Sequence, residues 1–143
     1  KEISLLKIVE QNIKNYDEIL LLKRITFTIE APDPAILKMN ETLAEILVSN
    51  LLGNAVRYNI DGGFIKCKIT HDYISISNSG LPLKTDPDLL FLRFQKSGDN
   101  PQSVGLGLSI VKKIAEAYGM QVSYIYRENV HELKLLYSNN FKP

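Results

Sequence analysis

Two amides and a guanidinium share one stripe of the segment Asn50-Leu51-Leu52-Gly53-Asn54-Ala55-Val56-Arg57-Tyr58-Asn59. Residues three and four apart are neighbours on a helix, so Asn50, Asn54 and Arg57 would lie on a single face. One reading is a solvated polar face, although such a face more usually carries lysine and glutamate, the stronger helix formers. The other reading is chemical. An amide oxygen is a hard, neutral ligand suited to magnesium, and a guanidinium suits phosphate, so the stripe could hold a metal-nucleotide. Gly53 costs about 1 kcal/mol against alanine inside a helix, which points to something approaching the backbone closely beside the stripe.

A second candidate follows at Gly105-Leu106-Gly107-Leu108. Read as the opening of a helix, these residues would offer free backbone amides at a helix N-terminus, with glycines that admit a phosphate. Two spaced glycines alone suit a plain turn equally well. The preceding Phe91-Leu92-Arg93-Phe94-Gln95-Lys96 adds two cations, Arg93 and Lys96, beside two aromatics that could anchor the segment to a core. A flap carrying cations suits a lid over a nucleotide.

The elements that must hold these residues are legible in outline. Leu6, Val9, Ile13, Tyr16 and Leu20 step by three and four, which predicts one amphipathic helix. Ile25, Phe27 and Ile29 alternate with polar residues as in a strand, and Ala31-Pro32-Asp33-Pro34 ends it. Ile36 to Met39 suits another short strand, after which Asn40 stands where the cap of a second helix should be. That helix is expected to run to about Tyr58. Asp61-Gly62-Gly63 reads as a turn, and the alternating runs around Cys67 and Ile74 read as an antiparallel hairpin turning at His71-Asp72. No period persists from Asn78 to Val104, a longer stretch than a compact domain normally spends on a connection. A third helix carries Val111, Ile114, Ala115 and Tyr118 and should close at Gly119. A last hairpin is expected around Glu128-Asn129. Strands arriving in hairpins, with three helices between them, predict an α/β (α+β) two-layer sandwich: a mixed, mostly antiparallel sheet with the helices on one face.

The 143 residues, 45% of them hydrophobic, suit one domain, residues 1–143, with a single core. Lysine and arginine total 17 against 16 acidic residues, a net charge of +1, so no global field favours nucleic acid or an anionic membrane. Any anion site must be local. The one cysteine, Cys67, sits in an alternating apolar run, reads as core, and fits a reducing compartment. The opening Lys1-Glu2-Ile3 is neither an initiator methionine nor a signal peptide, and reads as a fragment of something longer. His71 and His131 stand at or beside hairpin turns and are expected to be exposed. Lys66 and Lys68 are expected on the solvent face of a strand.

In order along the chain, the pieces resemble the catalytic domain of sensor histidine kinases, within the GHKL ATPase superfamily. Asn50 to Asn59 is similar to the N box, Ile76-Ser77-Asn78-Ser79-Gly80 to the first glycine box, Leu90 to Phe94 to the F box, and Val104 to Leu108 to the second glycine box. The resemblance implies a Bergerat-type sandwich with ATP between the Asn50 helix and a flexible lid at about 81–104. It implies Asn54 as the magnesium ligand, with Asn50 close to phosphates and metal. Arg57 and Tyr58 would flank the nucleotide, Asn78 and Gly80 would belong to the adenine side, and Leu83 would help to wall that pocket. Arg93 or Lys96 would reach the phosphates from the lid, and Gly105, Leu106, Gly107 and Leu108 would present backbone to the triphosphate.

Two departures bear on the site. Asn78 stands where the family usually has an aspartate that accepts from the adenine amino group. An asparagine can accept through its oxygen without charge assistance, or donate to a carbonyl such as guanine O6. Ser103 and Pro82 replace glycines common in the boxes and should stiffen both ends of the lid.

By the same resemblance, the reaction is transfer of the ATP γ-phosphoryl group to a histidine on a separate dimerisation domain of the same parent. A response regulator would be the onward partner. The acidic residue that assists the acceptor would lie on the dimerisation domain, so no catalytic side chain is assigned here. The chain would be a cytoplasmic, monomeric piece of a parent that the resemblance allows to be a membrane-bound sensor. Three other readings stand beside this one: a serine kinase that antagonises a sigma factor, a degenerate interaction domain that binds no nucleotide, and a gyrase-like or chaperone-like ATPase, for whose added dimerisation segments the chain has no room.

Overall fold

The computed structural model describes residues 1–81 and 101–137, and the side chains of its last helix from residue 107 onward. A short strand β1 (Glu2–Ser4) leads into α1 (Leu5–Ile13), a single 3-10 turn at Lys14–Tyr16, and α2 (Asp17–Leu22). The one helix expected from Leu6 to Leu20 is therefore broken, because the 3-10 turn changes its phase. That change carries Tyr16 onto the next long helix, where its hydroxyl donates to the Ser49 carbonyl at 3.4 Å. Ser4 caps α1 by accepting from the Lys7 amide at 3.3 Å. The next orphan amides, of Leu5 and Leu6, reach the carbonyls of Ala35 and Pro34.

Strands β2 (Thr26–Glu30) and β3 (Ile36–Lys38) precede α3 (Glu41–Arg57). Asn40 caps α3 as its position predicts, its Oδ1 accepting from the Leu43 amide at 3.0 Å. After the Asp61–Gly63 turn come β4 (Phe64–Ile69) and β5 (Tyr73–Ser79), then α4 (Pro101–Ala117), β6 (Gln121–Arg127) and β7 (Val130–Leu136). Gly119, at φ 68°, ends α4 as expected, with the Met120 amide bonded to Ala115 and the Gly119 amide to Glu116. Glu128 and Asn129 both have positive φ, the conformation of a tight two-residue hairpin turn.

The main sheet has the order β2-β4-β5-β7-β6, with β2 parallel to β4 and every other pair antiparallel. It is the mixed, mostly antiparallel sheet that the alternating runs predict. A separate two-stranded sheet joins β1 to β3. Ile65, Cys67 and Ile69 of β4, Ile74 and Ile76 of β5, and Leu133 and Leu135 of β7 form one core with Val9 of α1, Leu47, Leu51 and Leu52 of α3, and Leu108 and Val111 of α4. Lys66 alternates outward and meets Glu30 at 3.7 Å between two exposed side chains. Cys67 is wholly buried, and that burial pushes its thiol up to about 12.

Candidate functional site

Helix α3 supplies the polar stripe. Asn50 and Asn54 are half-buried, and Arg57 at the last helical position is exposed. The Asn50 amide donates back to the Ile46 carbonyl at 2.8 Å. Its Oδ1 looks toward α4, where a Cβ on Gly107 would stand 3.3 Å from it. The N-box helix and the second glycine segment thus meet at Asn50 and Gly107.

Gly53 has a different neighbour from the one its position beside the stripe suggests. A Cβ there would lie 3.1 Å from the Tyr16 hydroxyl, so the close approach comes from the broken first helix. The glycine segment also departs from expectation. Helix α4 begins at Pro101, not at Gly105, so Gly105 to Leu108 fall inside it and do not form its N-terminus. Proline suits a first helical position because its missing N–H has no helical partner to lose. Leu108 is a core residue at 1% exposure. Of the stretch expected as a lid, 101–104 belong to α4, and Leu83, Arg93 and Lys96 lie outside the described residues, as do the side chains of Gly105 and Leu106.

Asn78 is at the helix-facing side of β5, 4% exposed, and its Nδ2 donates to the Ser79 carbonyl at 2.9 Å. Using Nδ2 in this way leaves Oδ1 as the acceptor end of the side chain. Gly80 follows at a crowded point. A Cβ on it would stand 2.9 Å from both the Tyr58 carbonyl and the His131 ring. Tyr58 closes α3, and its hydroxyl is buried with no hydrogen-bond partner among the described residues. Burial raises the pKa of that hydroxyl, and the neighbouring Arg57 works against the rise.

His131 corrects the expectation of an exposed turn histidine. It lies on β7 opposite Asn78 and Tyr126, only 4% exposed, while His71 is exposed at its turn as predicted. Its Nε2 is 2.7 Å from the Leu81 carbonyl and its Nδ1 is 2.8 Å from the Tyr124 hydroxyl. A carbonyl only accepts, so Nε2 carries the proton in the neutral ring and Nδ1 accepts from Tyr124. Burial lowers the His131 pKa, partly offset by the bond to Leu81, and so favours this neutral form. The Tyr124 hydroxyl in turn has its pKa raised, first by burial and then by nearby Tyr58, while a side-chain hydrogen bond from Asn54 opposes the rise. An interaction that favours phenolate is one donated to the phenol oxygen. Asn54 of α3, Tyr124 of β6, His131 of β7 and the Leu81 backbone therefore form one connected series. Sequence inspection missed Tyr124 and His131 here because both read as ordinary members of a hairpin.

Asn59 was another unassigned position. Its Nδ2 donates to the carbonyls of Ala55 at 3.2 Å and Phe64 at 2.9 Å, and its Oδ1 accepts from the Ile60 amide at 2.9 Å and the Ser79 hydroxyl at 2.7 Å. This knot ties the end of α3 to β4 and β5.

Among the described residues no cluster of His, Cys, Asp or Glu could hold a metal ion. A magnesium here would draw on amide oxygen, nucleotide phosphates and water, which suits an ion that keeps several waters and few protein ligands. Asn54 fits that donor chemistry, since its amide nitrogen is engaged by Tyr124 and its oxygen is the remaining end. An open cleft lined by Lys112, Glu116, Gln121, Ser123 and Lys134 contains none of these residues. No helix among the described residues is long and apolar enough to cross a membrane.

Residues 39–135 match the family described as histidine kinase-, DNA gyrase B- and HSP90-like ATPase. The sensor histidine kinase HprS of Escherichia coli is 34% identical over 142 residues, covering 93% of this chain and 31% of HprS. The sensor histidine kinase TmoS of Ectopseudomonas mendocina is 34% identical over 120 residues, covering 76% of this chain and 12% of TmoS. The chain thus spans about a third or less of the length of these curated relatives. Among solved structures, the nucleotide-free catalytic domain of the histidine kinase ThkA superposes with a TM-score of 0.83 at 24% identity, covering 96% of this chain and 93% of that one. The full-length ShkA structure in complex with AMPPNP has a TM-score of 0.72 at 16% identity over 96% of this chain and 30% of that one. These two likenesses identify the fold.

Proposed function

The chain belongs to the histidine kinase-, DNA gyrase B- and HSP90-like ATPase family, and we propose that residues 1–143 are the ATP-binding catalytic domain of a cytoplasmic kinase module. In this reading the module passes the γ-phosphoryl group of ATP to a histidine on a separate dimerisation domain of the parent, and a response regulator receives it next. The family match across the Asn50–Asn59 helix and both glycine segments carries the reading.

The side chains divide the work of binding. Asn54 offers the magnesium ligand and Asn50 the neighbouring amide, with Gly107 admitting close approach to it. Magnesium, when bound, neutralises charge on the phosphates and orients them. Arg57 is exposed and free to reach an anion, and Tyr58 flanks the nucleotide from the end of α3. Asn78 accepts from the adenine amino group through Oδ1, because its nitrogen is held by the Ser79 carbonyl. Gly80, Leu83, Arg93, Lys96 and the backbone of Gly105 to Leu108 complete the site in this proposal. Phosphoryl transfer depends mostly on positioning and charge neutralisation, so the domain binds nucleotide yet needs its acceptor domain for chemistry.

Incubating the full parent protein with labelled ATP and magnesium tests the reaction. Acid-labile, base-stable label on a histidine is expected. Acid-stable label on a serine of a partner protein would replace this reading with the serine-kinase one.

A further inference from the structure

The series from Asn54 to Leu81 has a direction, and the direction is set at one end. The Leu81 carbonyl can only accept, so it fixes the proton of a neutral His131 on Nε2 across 2.7 Å. Nδ1 is then an acceptor, which obliges the Tyr124 hydroxyl, 2.8 Å away, to donate to it. With its one proton committed, the Tyr124 oxygen can only accept from its other neighbour. We propose that Tyr124 and His131 are positioning residues that decide which end of the Asn54 amide is presented as a ligand, holding Nδ2 against the phenol and turning Oδ1 to the metal. The inference rests on the nucleotide-site reading above, since it presupposes that Asn54 is the magnesium ligand.

The surroundings leave the series little freedom to reverse. His131 is 4% exposed, so water does not offer its nitrogens an alternative. The Tyr126 ring lies 4.6 Å from the imidazole on one strand, and Gly80 lets backbone sit directly against it on the other side. Reversal would put a proton on Nδ1 and set Nε2, a bare acceptor, against the Leu81 oxygen. An asparagine without such a neighbour presents oxygen and nitrogen with little preference, whereas only the oxygen can ligate magnesium.

Two readouts test this on the chain itself. Nitrogen-15 NMR of the free protein should find His131 as the neutral tautomer protonated at Nε2, a result that needs neither nucleotide nor metal. Titration with a non-hydrolysable ATP analogue, with magnesium and then with chelator, should find that Tyr124→Phe loses on the order of tenfold of the magnesium-dependent gain while its chelator affinity stays near wild type. His131→Asn, which can still place an oxygen toward Tyr124, should retain most of that gain. A folded Tyr124→Phe protein with an undiminished magnesium gain would overturn the proposal, and so would an Nδ1-protonated tautomer in the wild type, even where the variant does not fold. Asn54→Ala separates the two levels: if that change also leaves the magnesium gain intact, the ligand assignment of Asn54 is what fails.

Discussion

The Ser79 hydroxyl donates to the Asn59 side-chain oxygen at 2.7 Å, and this buried contact sets how the end of α3 meets the end of β5. Asn78 and Gly80 flank Ser79, while Arg57 and Tyr58 lie just before Asn59. One polar knot therefore registers the adenine side of the proposed site against its helix. The same Ser79 oxygen accepts from the Phe64 amide at 2.9 Å, so the knot includes the start of β4.

Ser79→Ala should destabilise the fold by about 1–3 kcal/mol, because it strands a buried amide and removes one partner of Asn59. Gly63→Ala should cost at least as much. A Cβ there would fall 2.1 Å from Asn59 Oδ1 and 2.2 Å from Ser79 Oγ, inside their shared hydrogen bond. Urea unfolding of the two variants checks both, and wild-type stability for Gly63→Ala would show that the knot yields freely.

Gly107→Ala should separate stability from binding. Alanine favours a helix interior by up to about 1 kcal/mol over glycine, and Asn50 Oδ1 at 3.3 Å from the new Cβ need give only slightly. Unchanged or slightly raised stability with weakened nucleotide binding is the expected pair. Thermal unfolding and nucleotide titration of the same sample measure them together.

Asn78→Asp removes the donor that reaches the Ser79 carbonyl and sets a carboxylate beside that oxygen. The variant should lose about 1–3 kcal/mol of stability and gain preference for ATP over GTP. Parallel titrations with the two nucleotides decide the second point, and an unchanged preference would remove Asn78 from the adenine contact.

Cys67 should be unreactive in the native protein, since it is wholly buried and its thiol is pushed up to about 12. A raised folded pKa means that the neutral thiol's contribution is fully present below the ordinary value of 9.0 and is lost as pH climbs toward about 12. A thiol reagent at pH 8 should therefore modify Cys67 only in denaturant.

Where a local signal was also the tertiary one, the sequence was readable. Asn40 caps α3 because the side chain needs only the Leu43 amide, and Glu128-Asn129 turns a hairpin because both residues adopt positive φ. The order of the four boxes likewise exposed the family. The first helix misled because its period continues through a 3-10 turn that exists to set Tyr16 over Gly53. His131 misled because its place near a turn says nothing of Gly80 and Tyr126, which bury it from other strands. The start of α4 misled because the glycines suggested a terminus, while Pro101 supplies the first helical position four residues earlier.

The most direct test of the central claim is isothermal titration of this chain with a non-hydrolysable ATP analogue and magnesium, beside Asn54→Ala. Saturable binding that the substitution weakens, with the fold intact, is the predicted result. A folded wild-type chain that takes up no nucleotide would contradict the account and favour a degenerate interaction domain.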